Sequence, residues 1–102
     1  MFVAMNNFTV NPERAKDFEE IWINRETHLE DVPGFIHFAL LRSDDEGNYV
    51  SHSSWQSREH FDAWTQSEAF TQGHRGGGSM EGILKDHPRL ALFDSVPEVS
   101  AN

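Results

Sequence analysis

The stretch VPGFIHFALLRSDDEGNYVSHSSW, residues 32–55, contains two candidate strands separated by a short polar turn. Its Pro-Gly pair ends any helix that precedes it, because proline cannot continue a helix and glycine frees the following turn. Apolar and aromatic residues then predict strands at Phe35 to Arg42 and at Tyr49 to Trp55. The turn between them includes Gly47, which suits the unusual backbone angle of a hairpin. The centre of the chain is therefore predicted to be an antiparallel β-hairpin.

One helix is predicted on each side of this hairpin. Upstream, Asn11 is a candidate N-cap and Pro12 occupies the first helical position, where a missing N–H costs nothing. Six residues at helical spacing then form one face of that helix, namely Phe18, Ile21, Trp22, Arg25, Leu29 and Val32. Downstream, Ser57 is a candidate N-cap of a second helix. We expect that helix to break near Thr65 to Ser67, where a serine followed by a glutamate is a second plausible cap.

Two further strands are predicted near the ends of the chain, at Phe2 to Val10 and at Leu90 to Val96. A loop from Gly73 to Pro88 precedes the last strand. The predicted order is β-α-β-β-α-β, the ferredoxin-like arrangement of the α+β class. We expect a single domain over residues 1–97 and a disordered tail over residues 98–102.

The strand segments FIHFALL and LALF are apolar on both faces. A sheet that exposed one face to water would alternate more cleanly between apolar and polar residues. Two helices can cover only one face, so something else must cover the other, and a second copy of the chain is the simplest cover. A chain of 102 residues also buries a limited core by itself. The sequence therefore predicts a homodimer whose sheets pack together as an α+β barrel.

Composition restricts the class of partner. The chain has 17 acidic and 8 basic residues, a net charge of -9, which argues against nucleic acid and against anionic membrane surfaces. It has no cysteine, so disulfides, thiolate catalysis and cysteine-ligated metal sites are excluded. No apolar run approaches the length of a membrane span, and the N-terminus lacks a signal-like segment. We expect a soluble, cytoplasmic protein.

Asn6 is the single amide in the apolar row Phe2, Ala4, Phe8 and Val10 of the first strand. If that row is buried, the amide needs a hydrogen-bond partner. Two interpretations stay open from the strand alone: a structural asparagine bonded to nearby backbone, or a donor directed into a pocket.

Trp64 and His74 form a second candidate pair. In one continuous helix they would not share a face, but after the expected break Phe70 and His74 lie at i and i+4. A large flat ligand could touch both Trp64 and His74. A lone imidazole beside aromatic residues does not suit zinc, which takes three or four ligands, whereas haem iron needs only one proximal histidine. A lone histidine at a helix end is nevertheless more often a solvated residue favoured by the helix dipole.

The predicted topology, the strand asparagine and the Trp-then-His pair together resemble the antibiotic biosynthesis monooxygenase (ABM) superfamily. Within it, the chain is most similar to haem-degrading monooxygenases of the IsdG type. AMNNF carries the family's asparagine at Asn6, FDAWTQSEAF carries its pocket tryptophan at Trp64, and GHRG carries its haem-ligating histidine at His74. The resemblance extends from Phe2 to about Val96.

This resemblance implies a dimer with two active sites, each between the helices and the sheet of one subunit. Haem would be both substrate and oxygen-activating cofactor, cleaved to a bilin with release of iron. His74 would hold the iron, Asn6 would donate a hydrogen bond to the distal ligand, and Trp64 would press on the porphyrin and distort it. Electrons would come from an unidentified reductase or a small reductant, because the chain has no flavin or nicotinamide motif.

Haem propionates are anionic, so local cations must offset the general repulsion of an acidic protein. Arg25, the only charge in the first helix row, and Arg75, beside the candidate ligand, are the candidates, although ordinary surface arginines would look the same. Trp22 is a candidate lining residue, although core packing is its more common role.

Two other functions fit the same pattern. One is a cofactor-independent ABM oxygenase acting on a quinol or polyketide, with Asn6 and Trp64 orienting the substrate and His74 as base. The other is a non-enzymatic dimer that binds or senses haem.

Overall fold

Four strands and two α-helices follow one another in the order β-α-β-β-α-β within the part of the chain that the structure describes. The computed structural model describes residues 1–25, 28–68, 70–71 and 82–101. The elements are β1 Phe2–Thr9, α1 Ala15–Asn24, β2 Phe35–Arg42, β3 Asn48–Trp55, α2 Arg58–Thr65 and β4 Arg89–Asp94. Two single 3₁₀ turns, Pro12–Arg14 and Leu29–Asp31, flank α1. The predicted α+β, ferredoxin-like order is confirmed.

The four strands form one antiparallel sheet in the order β2-β3-β1-β4, with β1 in the interior. In this register Asn6 of β1 lies opposite Ser51 of β3 on one side and Leu90 of β4 on the other. Both helices pack on one face, since α1 buries Phe18 and α2 buries Phe61 against that side of the sheet.

The core on this face divides into two clusters. Phe2, Ala4, Leu29, Trp55 and Phe61 form the first, and Phe8, Val10, Phe18, Tyr49 and Ile83 form the second. The alternating row of β1 contributes to both, with Asn6 between its apolar members. A polar residue therefore marks the gap between the two clusters, and the pocket described below lies there.

The first helix is shorter than its sequence pattern predicts. It ends at Asn24 and does not continue to Val32, because Arg25 adopts an extended backbone with ψ of 127°. Leu29 is still buried, but in a 3₁₀ turn. Asn11 occupies the N-cap position, with Pro12 after it, but of the 3₁₀ turn and not of α1. Its side chain makes no capping bond and donates a 3.0 Å hydrogen bond to the Gly82 carbonyl instead.

The second helix follows its prediction. Ser57 accepts a hydrogen bond from the His60 backbone N–H, as an N-cap does, and the helix ends at Thr65. After Gln66, the Ser67 hydroxyl accepts a 3.2 Å hydrogen bond from the Phe70 N–H. The expected break and its second cap are both present.

The second face of the sheet carries no helix among the described elements. Strand alternation places Met5, His37, His52 and Ala91 there with the half-exposed Leu41 and Phe93, whose exposed fractions are 46% and 49%. The homodimer that would cover this face stays a prediction. None of the described helices is long and apolar enough to cross a bilayer.

The C-terminal segment lies close to the start of the chain. The terminal amine of Met1 donates to Ser95 Oγ at 2.9 Å and to Glu98 Oε2 at 3.3 Å. The domain limits at residues 1–97 and the disordered tail stay predictions.

Candidate functional site

A pocket of about 200 Å³ opens between the helices and the middle of the sheet. Most of its lining is apolar or aromatic, from Ala4, Trp22, Leu29, Phe38, Phe61, Trp64, Phe70 and Leu90. Its polar lining comes from Asn6, Arg25, Ser51, Ser53 and Thr65. An apolar cleft with a few polar groups is the usual form of a small-molecule site.

Asn6 lies on the floor of this pocket. Its Oδ1 atom is buried and accepts no hydrogen bond from any described residue. A structural asparagine in a strand would have its buried oxygen paired, because an unpaired buried acceptor costs free energy. Asn6 therefore lines the pocket with its oxygen unpaired, and its role as a donor to a ligand stays a prediction.

Trp64 forms one wall of the pocket from the last turn of α2. Its ring lies 5.1 Å from that of Trp55 and 4.8 Å from that of Phe70, the second contact being edge-to-face. Trp55 is fully buried, so it holds Trp64 against a fixed support. Phe70 belongs to the segment after the helix break, so the break brings a second aromatic ring to the same wall.

Trp22 forms a second wall, from the last turn of α1. It stacks on Phe38 with ring centroids 5.7 Å apart and an interplanar angle of 18°, and it contacts Phe8 and Phe18. Trp22 therefore both packs in the core and lines the pocket. Its Nε1 atom is buried without a hydrogen-bond partner in the described segments.

Arg25 places a cation at the end of this wall. Its guanidinium carbon lies 4.1 Å from the centroid of the Trp22 ring. No carboxylate of the described residues pairs with it, and its Nε atom is buried without a partner. Burial lowers the pKa of Arg25 from its ordinary value, but a guanidinium stays charged in proteins. The arrangement would stabilise an anionic group, since burial has cost this cation part of its hydration.

Two serines of β3 line the pocket, and the sequence pattern alone did not distinguish them. Ser53 supports the core, because its hydroxyl accepts a 3.0 Å hydrogen bond from Trp55 Nε1 and lies 3.5 Å from the Ala4 carbonyl. Ser51 makes no hydrogen bond through its hydroxyl within the described residues. Alternation along the predicted hairpin strand, counted from the buried Tyr49, was a signal that could have placed both serines on the helix face.

Three predicted features lie outside the described residues. These are His74, Arg75 and the glycine run that follows them. The structure therefore describes the floor and two walls of the pocket, and the proximal histidine stays a prediction.

Residues 1–76 match the family described as antibiotic biosynthesis monooxygenase. The chain belongs to that family. Membership supports a monooxygenase, an enzyme of the oxidoreductase class. The matched region includes β1, both helices and the hairpin, so it contains every wall of the pocket except the side at Leu90.

The relatives of this ABM chain include a heme-degrading monooxygenase from Bacillus cereus. The two sequences are 28% identical over 74 residues, which is 70% of this chain and 68% of the relative. A protein of the same description from Bacillus thuringiensis is 27% identical over the same length.

Solved structures with the same fold include proteins of two kinds. MhuD, a heme degrader from Mycobacterium tuberculosis solved with two hemes in its active site, is 26% identical, with a TM-score of 0.77 over 98% of this chain and 100% of that one. SnoaB, a cofactor-independent oxygenase from Streptomyces nogalater, has a TM-score of 0.71 at 20% identity over 98% and 97% of the two chains. The second likeness shows the fold alone.

Proposed function

We propose that this ABM protein is a haem-degrading monooxygenase that cleaves the porphyrin to a bilin and releases its iron. The observation that carries the proposal is the pocket: two aromatic walls, an amide on the floor and an unpaired cation at one end, all within the described residues. That combination complements a flat apolar ring system with anionic side groups. The haem-degrading relatives support the same substrate.

The side chains that line the pocket suit haem, but the volume of the pocket limits how haem can bind there. The pocket volume of about 200 Å³ is below the roughly 300–1,000 Å³ of ordinary small-molecule sites. Haem would therefore extend beyond the enclosed part, or the contact between Trp64 and Phe70 would open. Trp64 packs against the first core cluster, through Trp55 and Phe61, and Phe70 lies beyond the helix break, so we assign such a movement to Phe70.

Each described residue then has a role. Arg25 pairs with a propionate and offsets the net charge of -9 that would otherwise repel the ligand. Trp64, supported from behind by Trp55, presses on one face of the macrocycle and distorts it. The Asn6 amide presents an N–H near the reacting centre, where it stabilises developing negative charge.

His74 would hold the iron, and Arg75 would add a second cation near the propionates. When bound, haem would supply the oxygen activation. Electrons come from an external donor, either a reductase or a small reductant. We place one such site in each subunit of a homodimer.

Titration with haemin followed by ascorbate in air tests the proposal. We expect a Soret band that saturates at a fixed haemin-to-protein ratio, then its loss with formation of a bilin and free iron. His74→Ala should abolish the ligated spectrum, and His87→Ala, an exposed histidine before β4, is the matched control. A ligated spectrum that survives in His74→Ala would remove that residue from the site.

One observation favours a second function. The enclosed volume of about 200 Å³ suits a single aromatic substrate better than a porphyrin, as expected for a cofactor-independent oxygenase acting on a quinol or polyketide. In that case haemin would bind weakly or not at all, and oxygen uptake would depend on an added anthrone or quinol. Haem binding without turnover would indicate a non-enzymatic binding or sensing dimer.

A further inference from the structure

The side-chain oxygen of Asn6 lacks a hydrogen-bond donor among the described residues. Its Oδ1 atom is buried and unpartnered among the described residues, although a buried acceptor normally has a donor. Its two cross-strand neighbours are Leu90, which has no side-chain donor, and Ser51, which has a hydroxyl. Because the atom is closed off from solvent, a neighbouring side chain with a donor would satisfy it.

Ser51 is available as that donor. It lies directly opposite Asn6 in the β1–β3 register, lines the same pocket, and makes no hydrogen bond through its hydroxyl with any described residue. Directly opposed residues have Cβ atoms about 5 Å apart, which a hydroxyl and a carboxamide can span. One change of the serine χ1 rotamer redirects its hydroxyl. Ser53, the next residue on that face, is already engaged with Trp55.

We propose that Ser51 is a positioning residue for Asn6: its hydroxyl donates to Oδ1 and thereby keeps the amide nitrogen directed into the pocket. A carboxamide has an acceptor on one side and two donors on the other. If it rotates by half a turn, it presents an oxygen where a donor is needed. The hydrogen bond from Ser51 to Asn6 can form in the protein without a ligand, while its effect on catalysis rests on the proposed function.

The pairing is tested first without any ligand, by the side-chain amide signals of Asn6 in ¹⁵N-labelled protein, assigned by their loss in Asn6→Ala. Ser51→Ala should shift both Nδ2 proton signals, whereas Ser51→Thr, which keeps a hydroxyl, should leave them near their original positions. Ser43→Ala, in the hairpin turn, is the matched serine control and should leave them unchanged. Signals that do not move in Ser51→Ala, or that move equally in Ser51→Thr, would overturn the pairing.

The catalytic consequence is tested on the haemin complex. Ser51→Ala should slow haem turnover about fivefold, the effect of losing one hydrogen bond, with haemin affinity nearly unchanged and activity restored in Ser51→Thr. Unchanged turnover in Ser51→Ala would refute the positioning role. If wild-type protein fails to bind haemin, the proposed function fails, while the amide signals still decide whether Ser51 orients Asn6.

Discussion

Arg25 illustrates how one residue can acquire a role from its surroundings. In the sequence it is the only charge in an apolar helical row, and in the structure it directly follows α1 with an extended backbone. That change of backbone direction accompanies the stacking of its guanidinium on Trp22. A guanidinium stacked on an aromatic ring still has donors at its edge, so it can bind a carboxylate at the same time.

We expect Arg25→Ala to weaken haemin binding about tenfold, because it removes a charge-assisted hydrogen bond from a partly buried site. Arg25→Lys should be intermediate, since it keeps the charge and loses the planar fork. Affinities are measured by Soret titration, with the surface residue change Arg58→Ala as control. The dimethyl ester of haemin, which has no carboxylates, should bind wild type and Arg25→Ala equally. A tenfold difference that persists with the ester would exclude a propionate as the partner of Arg25.

At the residue scale, sequence-based prediction succeeds where a pattern is interrupted. Asn6 breaks an apolar strand row, and that irregularity alone marks it as a candidate for the pocket floor, where the structure places it. Ser51 and Ser53 break no pattern, because serines are common in a strand such as YVSHSSW. Their position becomes meaningful only when the register sets Ser51 opposite Asn6, and register depends on contacts between distant parts of the chain.

At the scale of elements, a polar cluster ties α1 to the hairpin. The Tyr49 hydroxyl of β3 donates a 2.5 Å hydrogen bond to Glu19 Oε2 of α1, and Arg42 of β2 lies 3.1 Å from the same oxygen. Burial, with the bond to Glu19 as a further cause, raises the pKa of Tyr49 to about 12. The bond from Tyr49 lowers the pKa of Glu19.

Tyr49→Phe should reduce the free energy of unfolding by about 2 kcal/mol near pH 7, the value of a hydrogen bond to a charged group. Because folding raises the tyrosine pKa, the stabilisation is complete below about pH 10 and is lost as the pH rises toward 12. Wild type should therefore lose stability over this interval more steeply than the variant, as measured by urea unfolding. Tyr49 is the only tyrosine in the chain, so tyrosinate absorbance gives its folded-state pKa directly. A midpoint near 10 would contradict the predicted alkaline loss.

Elements bounded by proline, glycine or polar turn residues match their predicted limits closely, and elements without such residues do not. The hairpin strands begin and end at or within one residue of their predicted limits, because a Pro-Gly pair and a polar turn mark them. The sequence pattern extends the first helix eight residues too far, since the apolar spacing persists through Leu29 and Val32 while the backbone no longer follows it. Periodicity records which residues face the core, and a 3₁₀ turn can place Leu29 there as well as a helix can.

At the scale of the whole molecule, the open face of the sheet determines the expected assembly. Leu41 and Phe93 are half exposed on a face that no described helix covers, and Met5 of β1 and its neighbour Ala91 of β4 lie on the same side. The strand segments that are apolar on both faces predict this surface from the sequence. The composition of the strands does not identify what packs on this face, however, because any apolar surface would bury the same residues.

We expect Phe93→Asp to convert a dimer into a monomer, because it would place a carboxylate in the dry contact between two sheets. Sedimentation should give about twice the chain mass of 11.7 kDa for wild type and a single chain mass for the variant. Ile23→Asp is the matched control: Ile23 is more exposed, at 77%, but lies on α1 and should leave the dimer intact. The melting temperature of wild type, unlike that of Phe93→Asp, should rise with protein concentration, since association stabilises the folded chain. A wild-type chain that sediments as a monomer, or a Phe93→Asp variant that stays dimeric with native circular dichroism, would show that some other surface joins the copies or that none does.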